Sequence, residues 1–153
     1  MKDRWQVNLN SSTDPLDQLV HLSRCIGTEP TLVTTGGGNT SIKTEVVDFL
    51  GELTNTLFIK ASGFDLKTAE RHHFTGLRLN QLLPLMNRES LSDDAMVDYL
   101  GRCTLNPGDP RPSIETLLHA FLPFACVVHS HSNAIVALTN TDRGAEPLQD
   151  LFG

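Results

Sequence analysis

Pro112-Ser113-Ile114-Glu115-Thr116-Leu117-Leu118-His119-Ala120-Phe121-Leu122-Pro123 leads, through Ala125-Cys126-Val127-Val128, to His129-Ser130-His131. Ile114, Leu117, Leu118 and Phe121 fall at i, i+3, i+4 and i+7, which predicts an amphipathic helix capped by Ser113. The apolar run after it predicts a buried strand. Along a strand the period of two puts His129 and His131 on one face, so the pair is a candidate chelate for one metal ion. Glu115, at the start of the preceding helix, returns to the same end of the sheet. A carboxylate there can ligate a metal or act as general acid and base. Taken alone it is equally an acidic residue complementing a helix N-terminus, and with His119 an ordinary i, i+4 pair.

Upstream, Asp14 followed by Pro15 marks a helix start, with an apolar stripe of Leu16, Leu19, Val20 and Ile26 and a closing glycine at Gly27. A helix is expected over Pro15 to Ile26. Leu32-Val33, Ser41 to Thr44, Val46 to Leu50 and Thr56 to Ala61 are short β-prone pieces that predict a hairpin or meander, with turns at Gly51 to Asn55 and at Ser62-Gly63. A weak helix disturbed by Pro84 is expected over Leu79 to Met86. Ser92 caps another helix carrying Met96, Val97 and Leu100. The prolines of Leu105 to Pro112 predict an ordered, extended loop, and Asn133 to Leu138 begins a further helix.

Gly36-Gly37-Gly38-Asn39-Thr40-Ser41 can bring backbone N–H groups close to an anion, with the Asn39 amide as a further donor, or can simply turn the chain between strands. It is neither a Walker loop nor a dinucleotide fingerprint. Ser62-Gly63 carries the same two readings. His21 reads as a half-exposed helical side chain and His72-His73 as surface.

The 153 residues, 39% of them hydrophobic, suffice for one domain with a sizeable core. A net charge of −6 without any basic cluster argues against a nucleic-acid partner. The apolar runs are short and residues 1–10 lack a leader pattern, so no membrane partner and a soluble, cytoplasmic protein are expected. Cys25, Cys103 and Cys126 are widely spaced and read as ordinary buried thiols, not a disulfide framework or a thiolate metal site.

Four stretches, Gly36 to Ser41, Lys60-Ala61-Ser62-Gly63, Pro112 to Glu115 with His119, and His129-Ser130-His131, resemble in order and spacing the class II aldolase and adducin family. The resemblance covers roughly residues 15 to 140. The wording around Arg111 to Glu115 is most similar to the aldolase domain of bifunctional rhamnulose-phosphate aldolase and alcohol dehydrogenase proteins. It implies an α/β fold of αβα layers, a mainly antiparallel central sheet flanked by helices, in a homo-oligomer, usually a tetramer. It also implies that Asn39, Ser62, Gly63 and Ser113 hold a sugar phosphate, that Glu115 is the acid and base, and that His129 and His131 ligate Zn2+ or another divalent metal.

The activity so implied is reversible cleavage of a ketose 1-phosphate, such as rhamnulose or fuculose 1-phosphate, to dihydroxyacetone phosphate and an aldehyde. The same resemblance admits a pentulose-phosphate epimerase, a non-catalytic adducin-like module or an inactive fragment. Lys60 reads as a strand-end residue, since no Schiff base is needed. The family's third histidine ligand lies downstream of the H-x-H pair, and this sequence has no histidine after His131. A single, C-terminally truncated domain over 1–153 with weakened metal binding is therefore the expectation.

Overall fold

Strand β1 (Asn39–Val47) is hydrogen-bonded on both sides, to β2 (Leu53–Lys60) and to β4 (Cys126–His129), and β3 (Phe74–Arg78) closes the far edge. The order is β3-β2-β1-β4 and every pair is antiparallel. These relations come from a computed structural model that describes residues 12–143 and 145–153. The opening segment 1–10 lies outside the described residues.

Helix α1 (Pro15–Gly27) covers one face of the sheet. Its Leu16, Leu19 and Val20 pack with Phe74 and Ala69, and with Ile42 and Phe58 alongside. On the other face Leu57, Ile59 and Leu77 meet Leu82 of α2 (Leu79–Leu82), Leu100 and Cys103 in and after α3 (Asp93–Arg102), and Ala120 of α4 (Thr116–Phe121). Two apolar layers on opposite faces of one sheet give the αβα architecture expected. Helices α5 (Asn133–Thr139) and α6 (Ala145–Phe152) follow β4.

Local chemistry explains the ends of these elements. Asp14 caps α1 by accepting from the Leu16 amide, and Ser92 caps α3 by accepting from Ala95. Gly27 departs from its expected role: it is the last helical residue, and Thr28 takes the C-cap. A Cβ on Gly27 would stand 2.2 Å from the Lys67 amide nitrogen, so the absent side chain lets the Leu66–Lys67 backbone lie against α1. Pro84 divides the expected Leu79 to Met86 helix into α2 and a 3₁₀ turn over Leu83–Asn87. The Leu105 to Pro112 loop is pinned by Thr75 donating to the Pro110 carbonyl and Ser62 N–H donating to that of Arg111.

Three expectations change. The pieces Ser41 to Thr44 and Val46 to Leu50 join in β1, and the turn comes earlier, because Asp48 accepts from the Leu50 and Glu52 amides. The segment Ala125 to Val128 is no buried strand: β4 lies at a sheet edge, with Val127 buried and Cys126 and Val128 exposed. Of the three thiols only Cys103 is buried; Cys25 is half-buried and Cys126 exposed.

Two glycine substitutions should separate packing from chain entropy. Gly27→Ala is expected to lower unfolding free energy by about 1–3 kcal/mol through overpacking. Gly101→Ala, at an exposed site in α3 where a Cβ meets nothing within 4 Å, is expected to raise it by about 0.4–1 kcal/mol. Urea denaturation of the two variants checks both signs.

Candidate metal centre

Ser113 makes the turn that sets the phase of α4. Its hydroxyl accepts from the Glu115 amide at 3.2 Å and its carbonyl from the Thr116 amide at 3.1 Å, so the helix starts at Thr116. The stripe expected to be buried is then turned partly outward, with Ile114 65% and Leu118 53% exposed. His119, with no exposed surface, and Ala120 take the inward positions. Glu115, one turn earlier, points along the same side of the helix.

There the helix meets the sheet. Asn39 of β1 is in register with His129 of β4, and Ser41 faces the same way two residues on. The Ser41 Oγ lies 2.8 Å from His119 Nδ1. Glu115 Oε1 lies 3.0 Å from His129 Nδ1, although the two are not aligned as a hydrogen bond. One ligand atom each from Glu115, His119 and His129 lie within 4.8 Å of one another.

His129 Nδ1 and His119 Nε2 are buried without a hydrogen-bond partner among the described residues. Such atoms are costly unless something completes them. A carboxylate oxygen and two imidazole nitrogens are a donor set that suits zinc or a similar divalent cation. The residues present therefore fit a metal. Burial pushes the His119 pKa down to about 4, against a smaller upward pull from Glu115, so its imidazole is neutral and able to ligate at neutral pH.

His131 sits differently. Strand β4 ends at His129, so the alternation that would align the two imidazoles does not extend to residue 131. Its ring centre is 4.9 Å from that of His129, and its Nδ1 lies 3.1 Å from where a Cβ on Gly37 would be. A Cβ on Gly38 would stand 2.8 Å from the His129 carbonyl oxygen. The glycine loop thus packs directly on the histidine segment.

Of the other expected site residues, Asn39 is buried and its Oδ1 accepts from the Thr40 amide. Ser113 is buried beside Glu115. Ser62 and Gly63 are exposed in a turn where Gly63 has φ +86°, a conformation that favours glycine. The Ser62 amide is already given to the Arg111 carbonyl, which leaves its hydroxyl for a ligand. Lys60 is buried, as a strand-end residue, and its ammonium donates to the carbonyls of Ala61 and Phe64. Asp65 accepts from the Gly36 amide at 3.3 Å and so connects the two loops. A cavity of about 390 Å³ behind the glycine loop is lined by Thr34, Thr35, Asp65 and Lys67 among others, and by none of the three clustered residues.

His119 is the cluster member that spacing alone did not single out; its i, i+4 relation to Glu115 was the available signal. At the surface, His72 is exposed as expected, whereas His73 is half-buried and stacks on Phe64 at 4.1 Å.

A layered α/β domain has its helix and edge strand together offer a carboxylate and two imidazoles, a candidate metal site. The chain belongs to the class II aldolase and adducin N-terminal domain family, whose model matches residues 17–151. It resembles the solved N-terminal class II aldolase domain of a conserved protein from Thermoplasma acidophilum, with 42% identity and a TM-score of 0.87 over 100% of this chain and 70% of that one. It is also 44% identical over 138 residues, 90% of its length, to a Bacillus subtilis (strain 168) protein called uncharacterized oxidoreductase YuxG. The chain spans 20% of that relative's length. No helix among the described residues is long and apolar enough to cross a membrane.

The lowered His119 pKa carries a sign that can be tested in metal-free protein. The unfolded chain binds the extra proton between the ordinary value of 6.5 and about 4. Stability from this group is present above that window and lost as pH falls through it, by about 3 kcal/mol in all. His119→Gln should flatten this part of the profile in urea denaturation across pH.

Proposed function

We propose that this domain is a metal-dependent aldolase that cleaves a ketose 1-phosphate reversibly to dihydroxyacetone phosphate and an aldehyde. The observation that carries the reading is the convergence of Glu115, His119 and His129 within 4.8 Å in a class II aldolase domain. These three residues, with His131 beside them, would hold the ion, zinc being the first candidate. A bound divalent cation supplies Lewis-acid stabilisation for the negative charge that develops on the ketone-derived oxygens.

The protein's own groups do the rest. Glu115 takes the proton from the C4 hydroxyl as the C3–C4 bond breaks, the aldehyde leaves, and the remaining three-carbon enediolate regains a proton at C3. Asn39, Ser62, Gly63 and Ser113 orient the phosphate and neighbouring oxygens. The buried amide and hydroxyl of Asn39 and Ser113 suit this task because they are already ordered. In the proposal the substrate is a small sugar phosphate and the chain works as a homo-oligomer in the cytoplasm. A pentulose-phosphate epimerase is the alternative reading, since the same residues and the same Lewis-acid stabilisation would serve it. The name oxidoreductase belongs to YuxG as a whole, of which this chain matches a fifth.

Elemental analysis after dialysis should find close to one metal ion per chain in the wild type and little in His119→Ala/His129→Ala. Unchanged metal content in that variant would remove the site assignment. With ketose 1-phosphates, Glu115→Gln should lower cleavage by about 10²- to 10⁴-fold, read by enzymatic detection of dihydroxyacetone phosphate. Ser113→Ala should raise the sugar-phosphate Kd while metal content stays as in the wild type.

A further inference from the structure

We infer that Asp65 is a positioning residue for the phosphate site: its two carboxylate oxygens tie the glycine loop before β1 to the turn after β2, and so hold Asn39 in place relative to Ser62 and Gly63. The inference rests on the phosphate reading above and adds to it a group that itself touches no phosphate.

The register of β1 against β2 pairs Ser41 with Ile59 and stops there, at one end of the sheet. Gly36 to Gly38 enter β1 at that end and Ser62 to Asp65 leave β2 at it. Beyond the last pair, the spacing of the two loops needs a contact of its own. Asp65 provides one: Oδ2 accepts from the Gly36 amide at 3.3 Å and Oδ1 from the Lys67 amide at 2.8 Å.

The bond to Lys67 caps a 3₁₀ turn over Leu66–Thr68 and orients the carboxylate, so that its other oxygen meets the loop. That turn is a firm base. Leu66 has no exposed surface, and a Cβ on Gly27 of α1 would stand 2.5 Å from the Leu66 carbonyl carbon. The glycine loop rests on the same residue, since a Cβ on Gly38 would lie 3.1 Å from the Leu66 side chain. Gly36 has nothing within 4 Å of where a Cβ would be, so backbone bonds locate it: its own amide to Asp65, and that of Gly37 to the Thr34 carbonyl. Serving two amides with separate oxygens suits a carboxylate. An asparagine offers one oxygen and a serine one short hydroxyl, and either suits the local cap on Lys67.

Calorimetric titration with dihydroxyacetone phosphate, in buffer containing zinc, tests the inference. Asp65→Asn and Asp65→Ser should each raise the Kd by about 10-fold, with zinc content and urea stability close to the wild type because the cap is kept. In cleavage of a ketose 1-phosphate the change should appear in KM and not in kcat, a split that general loosening of the fold would not give. Wild-type affinity in both variants overturns the inference, and so does tighter binding, which would mean that the carboxylate opposes the anion. Failure of the wild type itself to bind dihydroxyacetone phosphate would instead sink the phosphate reading, and this inference with it.

Discussion

The register of β1 decides where every polar group near the site can go. Asn39 and Ser41 turn toward α4 and β4, while Thr40 between them turns to α1, where its hydroxyl meets that of Ser23 at 2.6 Å. All three are buried, and each has a partner: the Thr40 amide for Asn39, Ser23 for Thr40, His119 for Ser41. A slip by one residue would exchange the faces and leave these groups in apolar surroundings without their hydrogen bonds. The pairing that holds the sheet together is thus also the pairing that brings His119 and His129 to one place.

Much of the fold could be read from local signals. Asp14-Pro15 and Ser92 announce helices by capping chemistry that needs nothing beyond the next few residues. β3 was not legible, because Phe74 to Arg78 contains Gly76, and glycine weakens a strand unless something approaches closely. Here Phe58 does: a Cβ on Gly76 would lie 2.9 Å from its ring. At the site, the inward turn of His119 depends on the Ser113 turn, which starts the helix late enough to rotate Ile114 and Leu118 outward. Periodicity assigns the apolar side to the core, and in this helix Leu117 and Phe121 of that stripe do pack against it while Ile114 and Leu118 do not. Glu115 and His129 could be singled out by order and spacing, and Asn39 and Ser62-Gly63 as possible anion contacts by their loop chemistry, whereas the phosphate role proposed for Ser113 comes only through the family resemblance.

Two lysines serve the framework around this centre. Lys43 on β1 donates to the Leu122 carbonyl at the end of α4, where a cation also complements the helix dipole. Lys60 does the same for the carbonyls of Ala61 and Phe64. Burial lowers both ammonium pKa values, and at Lys60 the charges of Glu115 and Asp65 oppose that fall. These are cations placed on backbone oxygens, so they shape a helix end and a turn while the carboxylate of Glu115 remains with the histidines.

The loops around the centre are joined largely through main-chain atoms: Ser62 to the Arg111 carbonyl, Ala61 to that of His73, Gly36 as donor to Asp65. A carbonyl is the same whichever side chain its residue carries. A new side chain at the exposed Arg111 therefore leaves its link in place, whereas His73 also stacks on Phe64 and accepts from the Glu70 amide, and Asp65 holds Gly36 through its side chain. The surface at a position such as Arg111 can change its chemistry while the main-chain frame beneath it stays intact.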